Sequence, residues 1–506
     1  MPEASSYLIR GGRVYDHDGD IHQPAIADLL IGGGVIEQIA PQIAAGPGVE
    51  VVEAAGKLVV PGFVNAHCHS HDVMAKGLFE EMPFDIWTLH SNPGNYGKRS
   101  HEEVRLRTLI GAAESLRNGI TTIQDFLTLV PPDESYVDTV LSAYEESGIR
   151  VVFGIAARDR AALDIEPFIR KDLPEPIRKR LVGAQNRSAR DELDFVSGQI
   201  ERLGKTPTSR QTWALTPSAP QRCSPELLEG MAALSREHGL PVLTHVYETR
   251  VQAAAARQSG PDSSLSLLDV LARAGLMNER LGVVHGVWLS PRNIAQIAEA
   301  GARVIHNPIS NLKLKSGVAP IVDLYRAGIE IALGCDNYSC AETQNIFTAM
   351  RMLCLLPAVT EREPHPITAG YAVKAATLAG ARAVGLAGKV GALKPGMAAD
   401  LTILDLEELA FVPFNSAARQ IVFAESGRAV ETVFVDGRPV VRGRKLLTVD
   451  EAKLAAAAAE LAPAFRRDAA ALAARNAELA APLLEANRAA WKVPLGFDRY
   501  IGRGKD

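Results

Sequence analysis

The stretch Pro61-Gly62-Phe63-Val64-Asn65-Ala66-His67-Cys68-His69-Ser70 decides how this 506-residue chain reads. An apolar run, Leu58-Val59-Val60, leads through Pro61-Gly62 into two histidines one residue apart. On a β-strand, residues i and i+2 point to the same face, so His67 and His69 aim at one point while Cys68 points away. Two convergent imidazoles at a strand end are the beginning of a divalent-metal site. The motif alone is common, and the alternative is an ordinary polar strand exit, so the rest of the chain has to supply the remaining ligands.

Upstream of this stretch, residues 1–57 read as short strands punctuated by glycine. Tyr7-Leu-Ile-Arg10 precedes Gly11-Gly12, and Ala27-Asp-Leu-Leu-Ile31 breaks at Gly32-Gly33-Gly34. Downstream, over 58–390, β-type runs alternate with helix-patterned segments. The runs are Ile120–Asp125, Arg150–Ile155, Thr212–Thr216, Pro241–His245, Leu281–His285, Ala302–His306 and Ile329–Cys335. The intervening helices include Glu103–Asn118, Pro225–His238, Ser264–Gly275 and Pro320–Ala327. With the opening strand this gives eight β/α steps, an α/β chain of the (β/α)8 TIM barrel class. Residues 391–447 return to short strands such as Asp400–Asp405 and Val430–Gly437, which predicts a small composite β-sandwich built from both chain ends with the barrel inserted between its halves. Residues 448–506 are rich in Ala and Leu with interspersed Glu and Arg, a C-terminal helical extension that loses its periodicity after Trp491.

Composition narrows the function. A net charge of −5 gives no electrostatic footprint for nucleic acid or an anionic membrane surface. Five cysteines, odd in number and without a CxxC pair, point to a reducing compartment and away from a disulfide framework. No secretory signal pattern and no run of about 18 apolar residues is visible, so the expectation is a cytoplasmic protein with neither membrane nor nucleic-acid partner.

Several strands end in a residue capable of chemistry, at the rim where barrel enzymes keep it. Thr244-His245-Val-Tyr-Glu248 puts a histidine at a strand end and a carboxylate three residues on, placed for proton transfer. The next strands end in His285, in His306-Asn307-Pro308 and in Gly334-Cys335-Asp336. A lone strand-end histidine is usually structural. Four successive strands delivering His, His, His and Asp to one rim argue against that reading.

Taken as an ordered set, Pro61–His69, His245-x-x-Glu248-Thr249, His306–Gly317, Gly334-Cys-Asp336 and Gly391–Leu401 resemble the amidohydrolase superfamily, over roughly residues 7–445. The branch most similar contains the cytosine, guanine and S-adenosylhomocysteine/methylthioadenosine deaminases and the s-triazine hydrolases. The resemblance implies that His67, His69, His245 and Asp336 bind one divalent metal ion, Zn2+ or Fe2+. It further implies that His285 polarises the substrate and positions the hydrolytic water, that Glu248 shuttles the proton, and that Asp336 receives the water's proton. Three neutral imidazoles and a carboxylate leave an open coordination position where a water's pKa falls toward about 7. Members with two metals carry a bridging lysine on the fourth strand. The corresponding segment, Trp213–Pro220, has none, which favours one metal.

The implied activity is hydrolysis of a C–N bond in a small nitrogen heterocycle, foremost deamination. The alternatives are removal of an alkylamine or halide from a triazine-like ring, amide or carbamate C–N hydrolysis, and, from another class, a non-catalytic scaffold. By analogy with such barrels a homo-oligomer is expected. Two departures bear on substrate. Ser218 stands where the nucleoside-type deaminases carry a histidine, which argues against adenosine-like substrates, and Tyr338 and Cys340 follow Asp336, where they are expected to shape the pocket.

The long connection Met74–Arg99 reads as a lid, with Trp87 and His90 three residues apart and able to share a substrate-facing helical side, or simply packing the loop. Gln124 is either a substrate contact or a satisfied core amide. His306 is either a rim residue touching substrate or a structural one. His71 reads as structural, and Asn311, Lys313 and Ser316 as residues that fix the loop after the seventh strand.

Overall fold

A computed structural model describes residues 6–130, 132–160, 164–182, 187–205, 208–259 and 266–500. The first two residues of the helix expected from Ser264, the first five residues of the chain and residues 501–506 of the tail lie outside these.

Strands from both chain ends form one nine-stranded sheet. Lys57–Pro61 lies at its centre, parallel to Ser6–Val14 on one side and antiparallel to Leu401–Asp405 on the other, with Val60 opposite Thr402. The chain therefore leaves the sheet at Gly62, immediately before the first barrel strand. Tyr7, Ile9, Leu29, Ile31, Val59, Leu401, Ile403 and Phe434 give this sheet its own core.

Eight parallel β/α steps follow. The strands are Phe63–His69, Ile120–Leu127, Arg150–Ala157, Gln211–Trp213 with Thr216–Pro217, Val242–Val246, Leu281–His285, Arg303–His306, and Ile331–Leu333 with Asp336–Asn337. Two hydrogen-bonded arcs join into a barrel. Leu215 bridges Val242 at one seam, and Asp336 and Asn337 pair with Cys68 and His69 at the other. The fourth strand, expected to be continuous over Thr212–Thr216, is split between Gln211–Trp213 and Thr216–Pro217, with the two intervening residues still bonded to both neighbours. The Ala214 amide donates to Phe153 on the third strand, and the Leu215 amide to Pro241 beside the fifth. The eighth strand breaks at Gly334, where an added Cβ would clash with the side chains of Asn307 and His67.

Local signals account for the helices. Pro225–His238 begins after Ser224, whose hydroxyl accepts from the Leu227 amide, and stops at Gly239 with φ +65°. Barrel and sheet are tied by Arg150, fully buried, whose guanidinium donates to Asp400 at 2.8 and 2.9 Å and to Asp436 at 3.3 Å.

The tail forms one helix, Glu451–Trp491, capped by Asp450. Its buried residues Phe465, Leu472, Asn476, Leu479, Leu483, Ala486 and Ala490 repeat at steps of seven, four and three, one continuous stripe. That stripe lies on the helix Phe84–Ser91 within the connection after the first barrel strand, and Leu479, Leu483, Ala486 and Ala490 share a cluster with Leu89, Ile165, Leu181 and Val251. The Asn476 amide donates to the Leu89 carbonyl at 2.8 Å, and that of Asn487 to Asp85 at 3.0 Å.

Candidate active site

Side chains from four strand ends converge in the barrel mouth. One ligand atom each from His67, His69 and His245 lies within 4.8 Å of the others, and the same holds for His67, His285 and Asp336. Asp336 Oδ1 stands 3.6 Å from His67 Nε2 and 3.4 Å from His69 Nε2, and its Oδ2 is 3.7 Å from His285 Nε2.

Three of the four imidazoles are aimed by a partner on the far nitrogen. His69 Nδ1 donates to the Phe126 carbonyl at 2.5 Å, and His245 Nδ1 to the Ser218 carbonyl at 2.7 Å. Both therefore present the Nε2 lone pair inward. His285 Nδ1 donates to Asn311 Oδ1 at 2.9 Å, leaving its Nε2 as an acceptor facing the cluster. His67 is wholly buried, and neither ring nitrogen has a hydrogen-bond partner. An unpartnered buried imidazole is costly, and a cation bound between these donors removes that cost. The donor set thus fits a divalent metal.

Charge states agree with that fit. Burial pushes the His67 pKa down to about 4 and holds those of His245 and His285 below the usual value, so these rings are neutral. Burial pushes the Asp336 carboxyl up, yet the nearby His67 and the surrounding imidazoles prevail and hold it well below the usual range. Ser310 Oγ and the Asn337 amide also donate to it. Glu248 goes the other way. Burial, followed by the negative charge of Asp336, raises its pKa well above the ordinary value against the pull of Arg222, and its Oε2 is 3.9 Å from His285 Nε2. Tyr247, His285 and Asp336 have φ of +52°, +70° and +65°, strained left-handed backbone concentrated where side chains turn into the mouth.

These groups open onto a cavity of about 780 Å3, counted to its open mouth. Phe84, Trp87, Thr88 and Ser91 line it, the i, i+3, i+4, i+7 stripe of the lid helix. Ser218, His71, Phe126, Leu314, Arg158 and Arg222 complete the wall.

Of the substrate contacts expected from sequence, Trp87 and Ser218 face the cavity, and His90, Gln124, His306 and Tyr338 do not. His90 falls off the inward stripe and stands against Phe79, ring centroids 6.0 Å apart. Gln124 and His306 are fully buried in the barrel, their polar side-chain atoms unpartnered. Tyr338 turns under the helix His101–Arg117, its hydroxyl against Gly111, where an added Cβ would lie 2.7 Å away. Cys340 is buried against Trp87 and Leu314. His71, read from sequence as structural, lines the cavity. The carbonyls of Phe126 and Ser218 leave no trace in side-chain identity. Asn311 and Ser310, by contrast, lie within the His306–Gly317 motif, and Arg222 stands out as a charge inside Pro220-Gln-Arg-Cys223.

Comparison with known proteins agrees with this geometry. Residues 58–440 match the model of the amidohydrolase family. The chain is 32% identical over 450 residues to a 5-methylthioadenosine/S-adenosylhomocysteine deaminase of Pyrococcus abyssi, covering 89% of this chain and 97% of that protein. It is 30% identical over 461 residues to a 5'-deoxyadenosine deaminase of Methanothermobacter thermautotrophicus, covering 90% and 99%. Among solved structures, an adenosine deaminase from Xanthomonas campestris with bound zinc superimposes with a TM-score of 0.78 at 26% identity, covering 92% of this chain and all of that one. The chain belongs to the amidohydrolase family. It is a metal-dependent hydrolytic enzyme acting on C–N bonds of a small heterocycle.

Proposed function

We propose that this enzyme is an aminohydrolase that releases ammonia from a 6-aminopurine nucleoside-type substrate, using a single Zn2+ held by His67, His69, His245 and Asp336. The relatives' activities support the substrate class and shift the weight away from the expectation drawn from Ser218. The observation that carries the chemistry is Glu248, buried, its carboxyl pKa pushed up by that burial, 3.9 Å from His285 on the open side of the cluster.

A divalent metal held by these four residues would supply Lewis acidity and make a water nucleophilic near neutral pH. Ionised Asp336 accepts a proton from that water. His285, its ring fixed by Asn311, offers Nε2 as the acceptor that positions the water. Glu248 donates to the ring nitrogen beside the reacting carbon, Asp336 passes the proton it took to the departing amine, and Glu248 is reprotonated by the hydroxyl proton released as the carbonyl forms. Phe84 and Trp87 cover the ring and exclude bulk water. Five buried cysteines without a disulfide fit work in a reducing cytoplasm, and we take a homo-oligomer as the working state.

The test is release of ammonia, alkylamine or halide by zinc-loaded protein across purine nucleosides, free purines, pterins, pyrimidines and triazines. Ammonia from the 6-aminopurine nucleosides is the expected result. Amine or halide from triazines alone, or no product from any of them, would overturn the proposal.

A further inference from the structure

Behind the catalytic cavity lies a second, smaller chamber. His71, Ser91, Pro93 and Thr128 line both spaces, so the two are adjacent. Phe465 from the C-terminal helix closes the far side, stacked on Tyr96 with ring centroids 5.5 Å apart.

The wall holds Arg107, which is 6% exposed and has no hydrogen-bond acceptor among the described residues. Its Nε is buried and unpartnered, as is Nη2 of Arg99 beside it. The carboxylates around Arg107 are committed elsewhere. Asp72 takes the amides of Tyr338 and Ser339 and the Ser339 hydroxyl. Asp125 takes the amide and hydroxyl of Ser70 and the Tyr144 hydroxyl. Glu103 sits 3.6 Å from Arg99, which also pairs with Asp468 at 2.7 Å. His71 is engaged by the Thr128 amide and Asn337, and the hydroxyls of Tyr96 and Tyr136 donate to the carbonyls of His90 and Arg99. Burial weakens the Arg107 cation more than Glu103, Asp125 and Asp72 restore it, so its charge is under-compensated. A guanidinium this deeply buried and without an acceptor is costly, and an anionic oxygen acceptor removes that cost best.

We propose that this chamber is a second subsite of the active site that takes an anionic group, carboxylate or phosphate, carried on an arm of the heterocyclic substrate, with Arg107 as its principal donor. The ring reacts at the metal cluster while the arm passes His71 and Thr128 under the lid to Arg107. This rests on the deaminase reading for the ring and adds the far end of the molecule.

Binding is measured by calorimetry on zinc-loaded protein carrying Glu248→Gln, so that no ligand turns over. The ligands share adenosine and differ in the arm: 5'-methylthioadenosine is uncharged, S-adenosylhomocysteine ends in a carboxylate, and adenosine 5'-phosphate in a phosphate. At least one acidic ligand should bind about tenfold or more tighter than the methylthio compound, and which one does so identifies the anion. Adding Arg107→Met should erase that preference and Arg107→Lys should keep part of it. The ratio is internal to each variant, so a folding defect, which weakens both ligands alike, does not imitate the result. Absence of preference in the parent, or a preference that survives Arg107→Met, overturns the subsite. Ammonia release by the Glu248 enzyme is read separately. Its failure removes the deaminase reading while the binding ratio still decides the subsite.

Discussion

Asp85 offers a test of how tightly the lid is held. It sits in the first turn of the lid helix, is 3% exposed and accepts from the Asn487 amide at 3.0 Å. Burial raises its carboxyl from 3.8 to about 7, helped by the charge of Asp164 and opposed by the Asn487 bond and Arg222. With the folded pKa above the unfolded one, the folded state binds the proton more tightly. The stability this contributes is complete below about pH 4 and is lost as pH rises through about 7. At about 1.4 kcal/mol for each unit of separation still to be crossed, the wild type should lose roughly 3 kcal/mol between about pH 5 and pH 8 through this group alone. Asp85→Asn keeps an acceptor for Asn487 and has no charge to desolvate. Urea unfolding of metal-saturated protein at the two pH values isolates the effect as a difference of differences. The variant should gain on the wild type by about that amount at the higher pH. A variant that tracks the wild type at both values, or falls further behind at high pH, would refute the assignment of a desolvated carboxyl clamped between lid and tail.

Glu248→Gln should keep its metal on elemental analysis and lose about 10²–10⁴ in kcat, the usual contribution of a positioned proton donor. Leu483→Ala empties a fully buried position between tail and lid; about 2–5 kcal/mol of unfolding free energy should go, with KM rising more than kcat falls because the lid is loosened rather than the metal cluster. Arg150→Met leaves Asp400 buried without its partner and should cost about 3–5 kcal/mol in denaturant unfolding, with little change in kcat for the molecules that remain folded.

What was legible in the sequence follows from how narrowly each role restricts residue type. A metal centre needs imidazoles and a carboxylate at strand ends, so His67, His69, His245, His285 and Asp336 stand out, and the structure brings all five together with Glu248. Orientation inside an element is another matter. Trp87 and His90 are three apart, yet the helix phase is set by Phe84 and Ser91, and that leaves His90 outside the cavity. Tyr338 stands two residues after Asp336, but the left-handed backbone at Asp336 turns the chain so that the ring goes under a neighbouring helix. The carbonyls of Phe126 and Ser218 aim two histidines and could be supplied by any residue. The tail's buried stripe is present in the sequence, but nothing there names the lid helix as its partner.

The division of labour in the chain follows from these contacts. The groups that hold a metal and move protons come from strand ends, where backbone pairing around the barrel fixes them to one another. The surfaces that line the rest of the cavity come from the lid helix and from Arg158 and Arg222 on the third and fourth steps, and Arg107 lines the chamber behind the lid. The lid packs on a helix that begins only after the sheet is complete, at Glu451, and the same helix closes the second chamber with Phe465. Substitutions along that helix can therefore change the shape of the substrate space while leaving the strand-end cluster in place. Its stripe from Phe465 to Ala490 is where selectivity can be altered without touching the chemistry.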